Sequence, residues 1–210
     1  FASRLAIEAL ASFVERSHAE KEITWPYGLD AKLSFDGNRI KTAIRLANRN
    51  VFRTADSRED YTGMGTTAVV AIVSGNVMTV GSAGDSRVYL LRNGQLRQVT
   101  RDDSWVTAAV GEGILTQEEI ERHPLRNVIT KAVGAKDSIE LDVIEETLQS
   151  GDVVLLCSDG LHSMINDEAI LQAMTPSPGS LEEATGRLID AANEAGGRDN
   201  VSVVLLRYTE

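Results

Sequence analysis

Two kinds of apolar spacing divide the chain. In FASRLAIEALASFVERS, Ala2, Ala6, Leu10 and Phe13 fall near one face, with Leu5 and Ala9 beside them. That spacing predicts an amphipathic helix running from the first residue. A polar passage follows, in which Pro26 and Gly28 predict a loop, with Trp25 and Tyr27 expected to pin it down. Ile40, Ile44, Ala47 and Val51 then recur at helical spacing and predict a long helix from about Gly37 to Asp60. Its basic residues Arg39, Lys41, Arg45 and Arg49 read as a solvated face.

From Thr66 the period shortens. Strands are expected over Thr66 to Val73, Val77 to Ala83, Arg87 to Arg92 and Gln95 to Thr100. Ser74-Gly75-Asn76, Gly84-Asp85-Ser86 and Asn93-Gly94 separate them, the last being a strong two-residue hairpin signal. The expectation is an antiparallel meander whose first strands are covered on both faces and whose last strands are wet on one. Arg101 to Glu112 predicts a helix, opened by Asp102, Asp103 and Ser104. Thr116 to Glu119 matches a capping box. Arg122 to Asp137 specifies no clear element.

Ile139 to Thr147 alternates weakly and reads as a strand, which Gly151-Asp152 turns into a hairpin with the next one. That next strand is Val153 to Cys157, five apolar residues in a row, read as buried on both faces and central to the sheet. It stops at Ser158-Asp159-Gly160, where Gly160 is expected to make a turn. Helices are expected over Asn166 to Met174 and, after a break at Pro176, Pro178 and Gly179, over Leu181 to Ala195. Ser180 and Glu183 form a second capping box, and Val201 to Tyr208 reads as a final apolar strand. This order is not the regular strand-helix alternation of a parallel fold, so the class is α+β, with helices layered on antiparallel strands.

Bulk numbers narrow the partners. At 210 residues the chain is most simply a single domain, 1–210. A net charge of −10 argues against nucleic acid. No apolar stretch approaches the roughly 20 residues of a membrane span. The one cysteine, Cys157, excludes a disulfide framework and fits a reducing cytoplasm.

Three aspartates share one setting. Asp85, Asp159 and Asp199 each lie near glycine at the rim of a predicted strand. Taken singly, each reads first as a turn residue rather than a ligand. Carboxylates without His or Cys partners favour hard cations such as Mg2+ or Mn2+. Like charges brought close also need a cation between them. Paired ions are a common device for attacking phosphate esters.

The motifs GMGTT (63–67), AGDSR (83–87), LCSDGL (156–161) and GGRDN (196–200) together resemble the metal-dependent protein serine/threonine phosphatases of the 2C type, in their bacterial form. The resemblance covers most of the chain from Gly63 to Tyr208. It implies a β-sandwich of two antiparallel sheets flanked by helix pairs, a four-layer αββα arrangement. It also implies a binuclear Mn2+ or Mg2+ centre, with Asp159 and Asp199 as catalytic ligands and Asp85 on a third, weaker ion. Gly160 and Asn200 would support those ligands, Asn200 by orienting Asp199. Asp102 to about Pro124 would form the variable flap segment. The implied reaction is in-line attack of a metal-bridging hydroxide on phosphoserine or phosphothreonine, without a covalent enzyme intermediate. Phosphoproteins and a cognate serine/threonine kinase are the implied partners.

The family's usual N-terminal strand pair, with its phosphate-binding Arg, Glu-Asp pair and metal-bridging Asp-Gly motif, is not among residues 1–210, and FASRLAIEAL resembles the helix that follows it. The expectation is therefore a parent protein that is a phosphatase, with residues 1–210 an N-terminally truncated domain that, if complete, is weak or inactive. The competing readings are a non-catalytic module that binds phosphoproteins and a phosphatase acting on an anti-sigma antagonist. Other chemistry reads more simply as structure. His162 could pair with Asp159 but reads first as a surface or packing residue, as do His18 and His123, which show no partners in sequence. Cys157 reads as a small buried hydrophobe, and Ser158 lacks a hydrolase nucleophile setting.

Overall fold

The computed structural model describes residues 1–19, 23–126, 128–175 and 180–210. The chain divides into two compact units, one of residues 1–84 and 102–146, the other of residues 85–101 and 147–210. The predicted break at Pro176, Pro178 and Gly179 lies outside the described residues.

The first unit opens with α1 (Ala2–Ala19) and α2 (Phe35–Asp56). Ala2, Ala6, Leu10 and Phe13 of α1 share a core with Ile40, Ile44, Ala47 and Val51 of α2. A fully buried aliphatic side chain contributes about 1.5–3 kcal/mol, so this helix pair is held chiefly by its apolar stripes. Ser34 caps α2 by accepting from the Gly37 amide. The helix ends at Asp56 rather than Asp60, and Glu59–Tyr61 forms a separate 3-10 turn. Trp25 does pin the preceding loop, edge-on to Phe13 and Phe35.

The basic set on α2 is not one solvated face. Arg39 is buried, donating to the Ser17 side chain and carbonyl and pairing with Asp36. Lys41 pairs with Asp30 at 2.8 Å. Of the four, Arg49 alone is exposed, Lys41 and Arg45 being half-buried. Helical periodicity places these positions but does not reveal the Asp36 and Ser17 partners that let a guanidinium go inside.

α2 packs on β1 (Ala68–Ser74) and β2 (Val77–Ala83), which pair antiparallel. β5 (Asp142–Thr147) completes a three-stranded sheet in the order β1-β2-β5. β2 is buried almost throughout, but β1, an edge strand, is only half-buried. Both faces of β1 are thus not covered as its apolar run suggests.

The second unit holds β3 (Arg87–Arg92), β4 (Gln95–Gln98), β6 (Val153–Cys157) and β7 (Val203–Arg207), in the order β4-β3-β6-β7. All of its neighbouring strands run antiparallel. The Asn93-Gly94 turn between β3 and β4 has positive φ at both residues, 51° and 76°, as a two-residue hairpin of this kind requires. Tyr89, Leu91, Leu155 and Cys157 form a core with Leu161, Ile170 and Leu188. These last three lie on α4 (Asp159–His162), α5 (Asp167–Met174) and α6 (Leu181–Glu194). Asn166 and Ser180 cap α5 and α6. Burial pushes the Tyr89 phenol well above its ordinary value, and its Oη lies between Arg87, at 2.8 Å, and Asp167, at 3.0 Å.

Two expectations about connectivity fail. The strands from Ala68 to Gln98 are not one meander but two hairpins, β1-β2 and β3-β4, in different sheets. Nor do β5 and β6 form a hairpin, since β5 joins β2 while β6 lies between β3 and β7. Short glycine-containing links look alike in sequence whether the chain folds back or changes sheet. β3 is also more buried than its alternation suggests, being flanked on both sides, whereas β4 is half-exposed at the edge. The class is α+β, with two antiparallel sheets and helices, as expected.

Candidate metal-binding end of the second sheet

Strand register gathers the three aspartates at one end of the second sheet. Arg87 at the start of β3 pairs with Cys157 at the end of β6, and Cys157 pairs with Val203 at the start of β7. Asp85 precedes β3 by two residues, Asp159 follows β6 by two, and Asp199 precedes β7 by four. All three therefore leave the sheet on the same side.

Ser158 fastens this end. Its amide donates to the Ser202 carbonyl at 3.0 Å. Its hydroxyl donates to the Asn200 carbonyl at 3.2 Å and accepts from the Ser202 amide at 3.0 Å. The Asn200 amide in turn donates to Asp199 Oδ1 at 2.7 Å. Asn200 thus holds the Asp199 carboxylate through its backbone.

Gly160 does not make the predicted turn. It lies buried in α4, which begins immediately after Ser158. The need for glycine is steric, because a Cβ there would stand 2.3 Å from the Asn200 carbonyl oxygen. The Asp-Gly pair therefore lets the Asp159 helix and the Asp199 segment approach closely.

His162 ends α4, and its Nε2 lies 2.9 Å from the Asp85 carbonyl oxygen. Of the two readings open from the sequence, a pair with Asp159 or a packing role, this contact with the Asp85 backbone fits the packing role. His123 stacks on Trp105, with ring centroids 4.9 Å apart. Cys157 is buried within the apolar core, as expected of a small hydrophobe.

Asp159 is half-buried and Asp199 exposed. Among the described residues neither forms an ion pair with a Lys or Arg. Their oxygens are hard donors suited to Mg2+ or Mn2+. Among the described residues, no three His, Cys, Asp or Glu side chains gather closely enough to hold an ion by themselves. The donor chemistry fits a hard cation whose shell is filled partly by water, as Mg2+ prefers.

Asp102 and Asp103 do not open the helix that follows them. Ser104 caps α3 (Trp105–Gly111), while Asp103 clamps Gly84, the residue before Asp85. The Asp103 amide donates to the Gly84 carbonyl at 2.9 Å, and its Oδ2 accepts from the Gly84 amide at 3.2 Å. Lys131 pairs with Asp103 at 2.7 Å. Burial works against the Lys131 charge, but the Asp103 hydrogen bond and nearby carboxylates raise its pKa overall. The capping box at Thr116 and Glu119 is present, and both contacts from Thr116 lower the Glu119 pKa.

The family model for protein phosphatase 2C matches residues 1–194, through both units. The chain belongs to the protein phosphatase 2C family. This 2C-family chain is 36% identical over 167 residues to the serine/threonine phosphatase stp of Listeria monocytogenes serovar 1/2a, covering 80% of the chain and 66% of that protein. Over the same length it is 38% identical to PstP of Mycobacterium tuberculosis H37Rv, covering 32% of it. It is 42% identical over 167 residues to PhpP of Streptococcus pneumoniae R6, covering 67%. It thus spans slightly less than two thirds of the Listeria protein and about a third of PstP.

Among solved structures, M. tuberculosis PstP/Ppp superposes with a TM-score of 0.83 at 36% identity, covering 100% of this chain and 82% of that one. The catalytic domain of PstP in complex with two manganese ions gives 0.79 at 34%, covering 100% and 81%. The four motifs read from the sequence thus point to the family that the whole-chain comparisons identify.

Proposed function

We propose that this 2C-family chain is a metal-dependent phosphatase of phosphoserine and phosphothreonine proteins. The observation that carries this reading is the register of β3, β6 and β7, which brings Asp85, Asp159 and Asp199 to one sheet end. Family membership and the manganese ions of PstP support it.

Asp159 and Asp199 would hold divalent cations, and Asp85 a further, weaker one. A cation held there supplies Lewis acidity, which makes water nucleophilic at neutral pH and offsets charge on the phosphoryl oxygens. The chain's own residues supply the frame. Ser158 and the Asn200 backbone fix the Asp199 segment, and Gly160 lets it approach Asp159. The rigid end of β6 keeps Asp159 in place, so the carboxylates need little rearrangement to bind an ion. A cytoplasmic setting, a partner serine/threonine kinase and the Mn2+ or Mg2+ choice belong to this same reading.

A second reading is a phosphoprotein-binding module without turnover. It is favoured by the absence, among the described residues, of three converging ligand side chains.

The test is hydrolysis of a phosphothreonine peptide with Mn2+, with EDTA, and by the Asp159→Asn variant. Chelation is expected to abolish turnover. Asp159→Asn is expected to lower it by on the order of 100-fold or more, since even outer-shell partners of a metal commonly cost 10–100-fold. Activity that survives both treatments rules out the metal centre. Binding of the phosphopeptide with no Mn2+-dependent turnover selects the second reading.

A further inference from the structure

The geometry points to His162 as a positioning residue that ties the Asp85 loop to the helical turn carrying Asp159. Its consequence for metal binding rests on the phosphatase reading above. Asp159 and His162 are the first and last residues of α4, three positions apart and so neighbours on one helical turn. From the end of that turn His162 places Nε2 2.9 Å from the Asp85 carbonyl oxygen. A carbonyl can only accept, so Nε2 carries the proton in this contact. The bond forms with the imidazole neutral or charged, so it acts as a tether rather than a titrating switch.

The tether joins segments 77 residues apart in sequence. Beyond the last β3-β6 register pair, Arg87 with Cys157, the sheet no longer ties the Asp85 loop to the chain leaving β6. Asp159 is held from below by β6 and from the side by the Ser158 contacts to Asn200 and Ser202. His162 extends that frame to Asp85. It therefore helps to limit how far the backbone that carries the Asp85 carboxylate can move from Asp159.

Reach can be separated from bulk by two amide substitutions. The Gln amide nitrogen lies about as far along its side chain as imidazole Nε2, and the Asn nitrogen about as far as Nδ1. His162→Gln can keep a donor on the Asp85 carbonyl, whereas His162→Asn and His162→Ala cannot. Two measurements on the same proteins read the result. Amide hydrogen exchange at Asp85 and Ser86, without metal, reports the tether. Calorimetric titration with Mn2+ reports the ion site.

His162→Ala and His162→Asn are expected to speed exchange at Asp85 and Ser86 and to weaken Mn2+ affinity by about fivefold, the equivalent of one ordinary hydrogen bond. His162→Gln should stay close to wild type in both. Unchanged exchange in His162→Ala overturns the tether. Faster exchange with unchanged Mn2+ affinity overturns its positioning role, as does a His162→Gln protein as impaired as His162→Ala. Wild-type protein that takes up no Mn2+ defeats the phosphatase reading and the metal consequence with it. That outcome is distinguishable, because the exchange measurement reads the tether without metal.

Discussion

The two ends of the second sheet carry the same two residue types to different effect. At one end the order is Gly151-Asp152, entering β6. At the other it is Asp159-Gly160, leaving it. Asp152 is 2% exposed and is held by Arg92, at 3.0 Å to Oδ1 and 2.7 Å to Oδ2. The Gln149 amide adds a further bond at 2.8 Å. Arg92 also donates to the Thr147 carbonyl, so one guanidinium fastens β3 to the chain entering β6. At the opposite end the Asp199 carboxylate accepts from the Asn200 amide, and neither Asp159 nor Asp199 has a Lys or Arg partner among the described residues. A carboxylate supplied with its own cation is a structural fastener. Carboxylates gathered without one are suited to an external cation. What separates the ends is the counter-charge, not the Asp-Gly pair.

Crossed substitutions provide the strongest attempt to break this contrast. Asp152→Asn is expected to destabilise the fold by about 3 kcal/mol, because it leaves the Arg92 charge facing a neutral partner in a largely buried setting. Mn2+ affinity should hardly change. Asp159→Asn should do the reverse, removing Mn2+ binding while leaving the denaturation midpoint near wild type or above it. Urea melts and Mn2+ calorimetry on both variants decide the matter. A large Mn2+ defect in Asp152→Asn, or a large stability loss in Asp159→Asn, would show the two ends to be less distinct than their contacts indicate.

The same contrast explains what could be read in the sequence. Val153 to Cys157 was legible as a central strand because five apolar residues before Asp159 admit few other roles. The aspartates could be placed at strand rims one at a time. Their convergence depends on the pairing of β3 with β6 and of β6 with β7, contacts between segments far apart in sequence that no local pattern encodes. Resemblance to the family, not periodicity, supplied that connection. The link through Gly84 reads as a hairpin for a related reason, since a hairpin and a change of sheet share the same turn chemistry. Side-chain direction stayed hidden as well. Arg39 counted as surface because its partners Ser17 and Asp36 lie on another helix and one turn away. His162 lies near Asp159 in sequence, whereas its ring reaches the Asp85 carbonyl.

Gly160→Ala probes whether the site end also has a purely steric requirement. The added Cβ would stand 2.3 Å from the Asn200 carbonyl, and backbone cannot yield as a flexible side chain can. Relieving the overlap is expected to cost about 2 kcal/mol, within the usual range for overpacking. The displaced segment carries Asp199, so Mn2+ affinity should fall in step with stability. This pairing sharpens the contrast, because Asp152→Asn is expected to change stability alone. A Gly160→Ala protein with a lowered midpoint but unaltered Mn2+ affinity would mean that Asp199 is positioned independently of α4.

The smallest expected effect is the acid limb of stability. The Arg92 hydrogen bond, the largest influence, holds the Asp152 carboxyl below its ordinary value of 3.8, and the Gln149 amide adds to it against the opposing effect of burial. A carboxylate whose folded value is depressed stabilises the fold fully above its unfolded value. That contribution is lost as the pH falls from about 3.8 through the lower folded value. Metal-free wild-type protein should therefore lose stability over this window more steeply than metal-free Asp152→Asn, which has no carboxyl to protonate there. Urea midpoints measured from pH 5 down to pH 3, in steps of about half a unit, give the comparison. Parallel acid limbs in the two proteins would assign the loss to other carboxylates and remove the Arg92 pair as the fastener of that end.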